Sequence, residues 1–123
     1  MKILLIDDDP DIRLVGEIAL GGDGRHTVRT ASGGREGLEA IRSDPPDVVV
    51  TDLFMEDLDG VALIRALRED PETAAIPVVF LTARAGSDDV ERLRAEGARG
   101  VLPKPFDPTI LLDRLEQILR TRP

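Results

Sequence analysis

Cysteine, tryptophan and tyrosine are absent from this sequence, and histidine occurs once, as His26. The lack of cysteine excludes disulfides, catalysis by a thiolate and metal sites with cysteine ligands. His26 lies far along the sequence from every other residue singled out below, and we expect a partly exposed imidazole at the start of a strand. Any metal site in this chain is therefore expected to use oxygen ligands.

Basic residues are few, because 16 lysines and arginines face 24 aspartates and glutamates, for a net charge of −8. A chain of this charge repels phosphates, so we expect no direct binding of nucleic acid. Long apolar runs are missing as well, and the first strand follows Met1 and Lys2 so closely that a signal peptide has no room. We expect a cytoplasmic protein that makes no membrane contact.

The length of 123 residues fits one domain, and we expect residues 1–123 to form it. Hydrophobic residues make up 41% of the chain and charged residues 33%, which is typical of globular proteins rather than disordered ones. The sequence contains no internal repeat, low-complexity tract or linker.

Apolar runs of strand length alternate with segments of helical periodicity along the whole chain. Five strands are predicted, near residues 2–7, 26–31, 47–52, 77–82 and 100–103. A helix is predicted in each gap and after the last strand. We expect Asp9 to cap the first helix and Ser87 the fourth, and Gly97 to end the fourth in a left-handed conformation.

Regular alternation of strands and helices with short connections predicts a doubly wound α/β fold, with a parallel sheet covered by helices on both faces. The second strand alternates polar and apolar residues, which suits an edge position. With that strand at the edge, we predict a five-stranded parallel sheet in the flavodoxin-like order 2-1-3-4-5. The first and third strands are then neighbours at the topological switch point.

Four of the predicted strands end at polar residues. The apolar run of the first strand ends at Asp7 and Asp8, Asp52 ends the third strand, Thr82 ends the fourth and Lys104 follows the fifth. Because ligands bind beyond the carboxyl ends of the strands in such sheets, these side chains point to one crevice. The three carboxylates would repel one another unless they took up protons, formed ion pairs or bound a cation.

A set of oxygen ligands favours Mg²⁺ or Mn²⁺, and we choose Mg²⁺ as the more abundant ion. An aspartate after a strand is also common as a helix cap, and this simpler explanation suffices for Asp9. It does not explain why Thr82 and Lys104 end the neighbouring strands. An ammonium group and a hydroxyl at such a site can stabilise a phosphoryl group.

The motifs LLIDDDP, DLFMEDLDG, VVFLTA and GVLPKPF, taken together, resemble the receiver domain of two-component response regulators over the whole chain. The resemblance implies that Asp52 is the phosphoacceptor. It implies that Asp7 and Asp8 hold Mg²⁺ together with Asp52, and that the backbone carbonyl of Phe54 is a further ligand.

By the same resemblance, Thr82 and Lys104 bind the phosphoryl group, which comes from a phosphohistidine on a sensor histidine kinase or phosphotransfer protein. The Lys104–Pro105 peptide is expected to be cis. The partner of the phosphorylated state would be a downstream effector or output domain, with dimerisation possible through the fourth helix, fifth strand and fifth helix. Such a domain promotes only its own phosphorylation and dephosphorylation, so we do not expect an enzyme.

Two positions depart from the family pattern. Val101 replaces the aromatic residue whose rotation accompanies activation, so coupling to the output surface must be weaker or run through the backbone. Glu56 stands where the loop commonly has proline. We also hypothesise that Phe54 and Arg84 flank the acyl phosphate and restrict the water that hydrolyses it. The equally weighted alternative is a solvated arginine and a partly packed phenylalanine.

Two other functions fit part of the pattern. The run Asp7–Asp9 resembles the start of aspartate-nucleophile phosphatases of the haloacid dehalogenase type, in which Asp7 would be the nucleophile. That family needs a second acidic pair late in the chain, which is missing. A non-phosphorylated interaction module with a receiver fold is the other alternative, although such modules typically lose the acceptor or the lysine.

Overall fold

The computed structural model describes residues 1–121. Within this range, five strands alternate with five helices. Their bounds are β1 (Lys2–Ile6), α1 (Pro10–Gly21), β2 (Thr27–Ala31), α2 (Gly34–Ser43), β3 (Val48–Asp52), α3 (Gly60–Glu69), β4 (Val78–Thr82), α4 (Ser87–Ala95), β5 (Gly100–Pro103) and α5 (Leu111–Arg120). Each predicted strand is present, with its ends within one residue of the prediction.

The strands form one parallel sheet in the order β2-β1-β3-β4-β5, which confirms the predicted flavodoxin-like topology. The predicted edge position of β2 is correct, and its residues are only partly buried up to Ala31. β1, β3 and β4 lie inside the sheet and are almost completely buried, which is consistent with their apolar sequences.

The core consists of two layers, one on each face of the sheet. On one face, strand residues such as Leu4 and Phe80 pack against α2, α3 and α4. On the other face, residues such as Leu5 and Leu81 pack against α1 and α5. Neighbouring strand residues point to opposite faces, so each central strand contributes to both layers and is fixed in register.

Two helices lie unusually close to the sheet. A Cβ atom added at Gly16 of α1 would lie 2.5 Å from a methyl carbon of Leu5, and one added at Gly37 of α2 would lie 2.4 Å from a methyl carbon of Ile6. Because both partners are fully buried, these contacts leave no room for a larger residue. Both glycines therefore set how near the helices approach β1.

The helix ends agree with most of the predictions. Asp9 is the N-cap of α1, and its side chain accepts a hydrogen bond from the Asp11 amide. Gly97 follows α4 with a φ of +105°, in the left-handed region. The prediction of Ser87 as a cap is wrong, because Gly86 is the N-cap and Ser87 is the first helical residue. Asp88 and Asp89 in the first turn stabilise that end of the helix dipole without a side-chain cap.

Two further expectations from the sequence concern His26 and the membrane. His26 immediately precedes β2 and is partly buried, with its side chain 11% exposed, in agreement with the partly exposed imidazole expected there. Within residues 1–121, none of the helices combines the length and the apolar character that crossing a bilayer requires.

Candidate functional site

Three carboxylates converge at the carboxyl edge of the sheet. Asp7 directly follows β1 and Asp52 ends β3, and these strands are neighbours with Ile6 paired to Thr51. Together with Asp8, each residue offers a carboxylate oxygen within 4.8 Å of the others. Asp7 is fully buried and Asp8 is exposed. The group therefore spans the depth of a pocket that opens to solvent.

Lys104 lies against the carboxylates and supplies positive charge. Its Nζ is 2.7 Å from Oδ2 of Asp7 and 3.5 Å from Oδ2 of Asp52. The Lys104 side chain is only 19% exposed, and its backbone amide donates to the Thr82 carbonyl. The Lys104–Pro105 peptide is cis, as expected from the family resemblance.

The buried carboxylate of Asp7 is held at both oxygens. Oδ2 accepts from Lys104, and Oδ1 accepts from the backbone amide of Asp9 at 2.9 Å. The carbonyl of Asp7 also accepts from a guanidinium nitrogen of Arg13 at 2.8 Å. These contacts fix the end of β1 and leave Asp7 little freedom to attack a substrate.

Asp52 is in a different environment. Its side chain is 13% exposed, and its ionic partner Lys104 is farther away than it is from Asp7, with Nζ 3.5 Å from Oδ2. Burial raises the pKa of Asp52, the ammonium of Lys104 acts to lower it, and the neighbouring charge of Asp7 raises it again. Without a cation, this carboxylate therefore holds its negative charge at a free-energy cost, which a bound cation would offset.

Thr82 ends β4, next to β3 in the sheet, and is 1% exposed. Its Oγ1 accepts a hydrogen bond from the Arg84 amide at 3.1 Å, so the proton of the hydroxyl remains available to a second partner. Phe54 and Arg84 meet at the surface, with Cζ of Arg84 5.9 Å from the centroid of the Phe54 ring. The Phe54 side chain is 58% exposed.

Two residues near the pocket were not predicted from the sequence. Arg13 reaches back from α1 to the end of β1. Asp57, in the connection between β3 and α3, accepts hydrogen bonds from the amides of Gly34 and Arg35 at the start of α2. There is one indication of this contact in the sequence. Gly33 and Gly34, at the start of α2, have no side chain that could cap the helix, so a capping group has to come from elsewhere in the chain.

The donor set can hold a divalent metal ion. Asp7, Asp8 and Asp52 offer only hard carboxylate oxygens, and the accessible side of the group is open to water. Mg²⁺ prefers a few carboxylates and retains several waters, which fits one exposed, one partly exposed and one buried carboxylate.

The order of the sheet and the acidic pocket at its carboxyl edge define a flavodoxin-like α/β domain with a charged strand-end site. Residues 3–116 match the family model described as the response regulator receiver domain. The chain belongs to this family of two-component signalling domains.

Two named proteins are similar to this chain in sequence. The chain is 38% identical over 118 residues to the transcriptional regulatory protein CseB of Streptomyces coelicolor, covering 96% of this chain and 49% of that protein. It is 36% identical over 120 residues to protein PilH of Pseudomonas aeruginosa, covering 96% of this chain and 97% of PilH. It therefore spans about half of CseB and nearly all of PilH.

Solved structures share the fold. The chemotaxis response regulator CheY4 of Vibrio cholerae is similar, with a TM-score of 0.88 and 32% sequence identity over 95% of this chain and 97% of that chain. A response regulator receiver domain protein from Clostridium thermocellum has a TM-score of 0.81 and 32% identity, over 96% of this chain and 93% of that chain.

Proposed function

We propose that this chain accepts a phosphoryl group on Asp52, in a Mg²⁺-dependent transfer from a phosphohistidine on a histidine kinase or phosphotransfer protein. The observation that supports the proposal most strongly is the convergence of three carboxylates with Lys104 at one end of the sheet. Incubation with acetyl phosphate and Mg²⁺, followed by mapping of the modified aspartate, tests it.

The assignment of Asp52 as the acceptor follows from the contrast with Asp7. Both oxygens of Asp7 already accept hydrogen bonds, and the residue is fully buried. Asp52 is partly exposed, and its closest ionic partner, Lys104, is 3.5 Å away. A donor that enters from solvent can therefore reach an oxygen of Asp52 more easily than one of Asp7.

In the transfer, an oxygen of Asp52 attacks the phosphorus and forms a P–O bond, while the P–N bond to the donor imidazole breaks. The electron pair of that bond returns to the imidazole nitrogen, and the product is an acyl phosphate. A Mg²⁺ ion held by Asp7, Asp8, Asp52 and the Phe54 carbonyl would neutralise charge on the phosphoryl oxygens. Lys104 and the Thr82 hydroxyl would bind the remaining oxygens, so the residues act by position and charge.

Binding of Mg²⁺ should stabilise the fold, because the carboxylates are assembled only in the native state. At a free Mg²⁺ concentration about 100 times the dissociation constant, the free energy of unfolding should rise by about 2.7 kcal/mol. Asp8→Ala should lose most of this gain, because it removes one of the three carboxylates of the cluster. Asp8 is exposed, so the change should not disturb the core. Thermal melting with Mg²⁺ and with EDTA measures both.

The matched control is Asp11→Ala, which removes a neighbouring exposed carboxylate that is outside the cluster. It should keep the response of the wild-type chain. A wild-type melting temperature that does not depend on Mg²⁺ would instead favour a non-phosphorylated interaction module.

Phe54 and Arg84 are proposed to control the lifetime of the acyl phosphate. Their side chains meet at the surface, with Cζ of Arg84 5.9 Å from the centroid of the Phe54 ring, and together they would restrict the approach of water to Asp52. Phe54→Asn and Arg84→Ala should each speed dephosphorylation by about tenfold, corresponding to about 1.4 kcal/mol in the barrier. Loss of phosphate after removal of the donor gives the rate, and unchanged lifetimes in both variants would refute this role.

The output of the domain is proposed to follow the family pattern. We propose that residues 1–123 act as one receiver unit in the cytoplasm, without direct contact with nucleic acid, and do not turn over a separate substrate. The surface of α4, β5 and α5 would contact a downstream effector, an output domain or a second copy. Val101 of β5 is partly buried against the core, so the change must reach this surface without an aromatic rotation.

A further inference from the structure

Helix α2 begins without a cap of its own. Its N-cap residue is Gly33, which has no side chain to bond the free amides of the first turn. The carboxylate of Asp57 supplies that cap from another part of the chain. Its Oδ1 accepts from the Gly34 amide at 3.0 Å, and its Oδ2 accepts from the Arg35 amide at 3.2 Å.

The two glycines at the start of α2 have no side chains, which lets the loop that contains Asp57 approach the helix closely. A Cβ atom added at Gly34 would lie 2.1 Å from the carbonyl oxygen of Leu58, and one added at Gly33 would lie 3.0 Å from Oδ1 of Asp57. Any larger residue at Gly34 would therefore push the loop away. The contact between α2 and this loop depends on a small residue on one side and a carboxylate on the other.

Asp57 also orders its own loop. Its Oδ1 accepts a second hydrogen bond, from the Leu58 amide at 2.8 Å. The backbone amides of Arg35, Gly34 and Leu58 together hold the pKa of Asp57 below its ordinary value. The carboxylate is therefore charged at neutral pH, which strengthens its bonds to the helix N-terminus.

The loop from Leu53 to Asp59 is fixed at both ends. At its base, the Gly60 amide donates to the Leu53 carbonyl, and Asp59 caps α3 by accepting from the Ala62 amide. Its middle contains Glu56, which lacks the fixed φ of proline. The bonds from Asp57 to α2 hold this middle part.

We propose that Asp57 is a positioning residue for the metal pocket: by capping α2, it holds the loop so that the Phe54 carbonyl stays beside Asp52. This inference rests on the proposed function, in which that carbonyl is a ligand of Mg²⁺. Asp57 acts on the ion through the backbone of the loop rather than by direct contact. It thereby joins the phosphoacceptor loop to helix α2.

The experiment compares Mg²⁺ affinity in Asp57→Ala and Asp57→Asn. Both variants lose the same charge, but asparagine caps helices about as well as aspartate. Its oxygen can retain the bonds that Oδ1 makes to Gly34 and Leu58. Titration of Mg²⁺ followed by backbone amide NMR should show about tenfold weaker binding for alanine, as for other residues that orient metal ligands, and affinity within about twofold of wild type for asparagine.

Two further variants test the contact from other directions. Gly34→Ala leaves Asp57 intact but pushes against the carbonyl of Leu58, and it should weaken Mg²⁺ binding like Asp57→Ala. Asp70→Ala is the matched control, because it removes a carboxylate that accepts from a backbone amide, that of Glu72, after α3 and outside the loop from Leu53 to Asp59. It should bind Mg²⁺ like the wild-type chain.

Hydrogen exchange of the Gly34 and Arg35 amides gives a readout that needs no metal. Exchange should be faster in Asp57→Ala, and near the wild-type rate for Gly34 in Asp57→Asn. Wild-type Mg²⁺ affinity in Asp57→Ala, or equal weakening in Asp57→Ala and Asp57→Asn, would overturn the positioning role and leave the proposed function standing. A wild-type chain that binds no Mg²⁺ would overturn both.

Discussion

Asp52→Asn is expected to abolish uptake of a phosphoryl group from acetyl phosphate, with a fall of more than about a thousandfold in rate, because the change removes the nucleophile. Asparagine has nearly the same shape as aspartate, so the fold should be kept. Intact-protein mass spectrometry should show addition of one phosphoryl group to the wild-type chain in Mg²⁺ and none to the variant.

Asp47→Asn is the matched control for this experiment. Asp47 lies just before β3, at the opposite end of the strand from Asp52, and accepts a hydrogen bond from the Lys2 amide. It should be phosphorylated at the wild-type rate. Modification of Asp7, with Asp52→Asn still active, would refute the proposal and favour a nucleophile of the phosphatase type.

Lys104→Met is the second change with a large expected effect, and it should act on both stability and transfer. In the wild-type chain, Lys104 is the ion-pair partner of the buried Asp7. Without it, the buried carboxylate of Asp7 has lost its ionic partner, and the metal-free chain should lose about 2 kcal/mol of stability. This lies below the range for fully buried pairs, because Lys104 is still partly exposed.

The same change should slow phosphorylation by about a hundredfold, since a positive charge close to the transferring group is lost. Mg²⁺ should restore part of the stability but not the rate, because the ion neutralises the carboxylates without replacing the ammonium beside Asp52. Thermal melting in EDTA and in Mg²⁺ measures the first effect, and a time course with acetyl phosphate measures the second.

Lys2→Met provides the comparison for Lys104→Met. The ion pair between Lys2 and Asp44 is exposed on both sides, so its loss should cost less than about 1 kcal/mol and leave phosphorylation unchanged. If Lys104→Met were as stable and as rapidly phosphorylated as Lys2→Met, the ammonium at the carboxyl edge would have no role in the site.

The fold could be predicted closely because its signals are local. The first, third and fourth strands are uninterrupted apolar runs, and β2 shows the alternating polarity of an edge strand. Connections are short and crossovers between parallel strands are right-handed, and these two rules leave few topologies. The convergence of Asp7, Asp8 and Asp52 was predictable for the same reason, since each residue is at or just after the end of a central strand.

Other features depend on contacts between residues that are far apart in the sequence, and local sequence patterns do not reveal such contacts. Asp57 is separated from Gly34 by 23 positions, and their contact requires the fold to bring a loop and a helix end together. Arg13 was not predicted to reach the Asp7 carbonyl, because a solvated arginine has the same sequence pattern. At the start of α4, the sequence favours Ser87 as the cap over Gly86, because serine is a better capping residue than glycine.

The proposed phosphorylation and the proposed role of Asp57 both require one divalent ion, held by Asp52 at the end of β3 together with the carboxylates that follow β1. Crystals grown with Mn²⁺, which can replace Mg²⁺, test this requirement through the anomalous signal of the metal. We expect a single strong peak about 2 Å from oxygens of Asp52 and of at least one of Asp7 and Asp8. A peak elsewhere, for example at the acidic cleft between Glu36 and Glu56, with none beside Asp52, would contradict the proposed site.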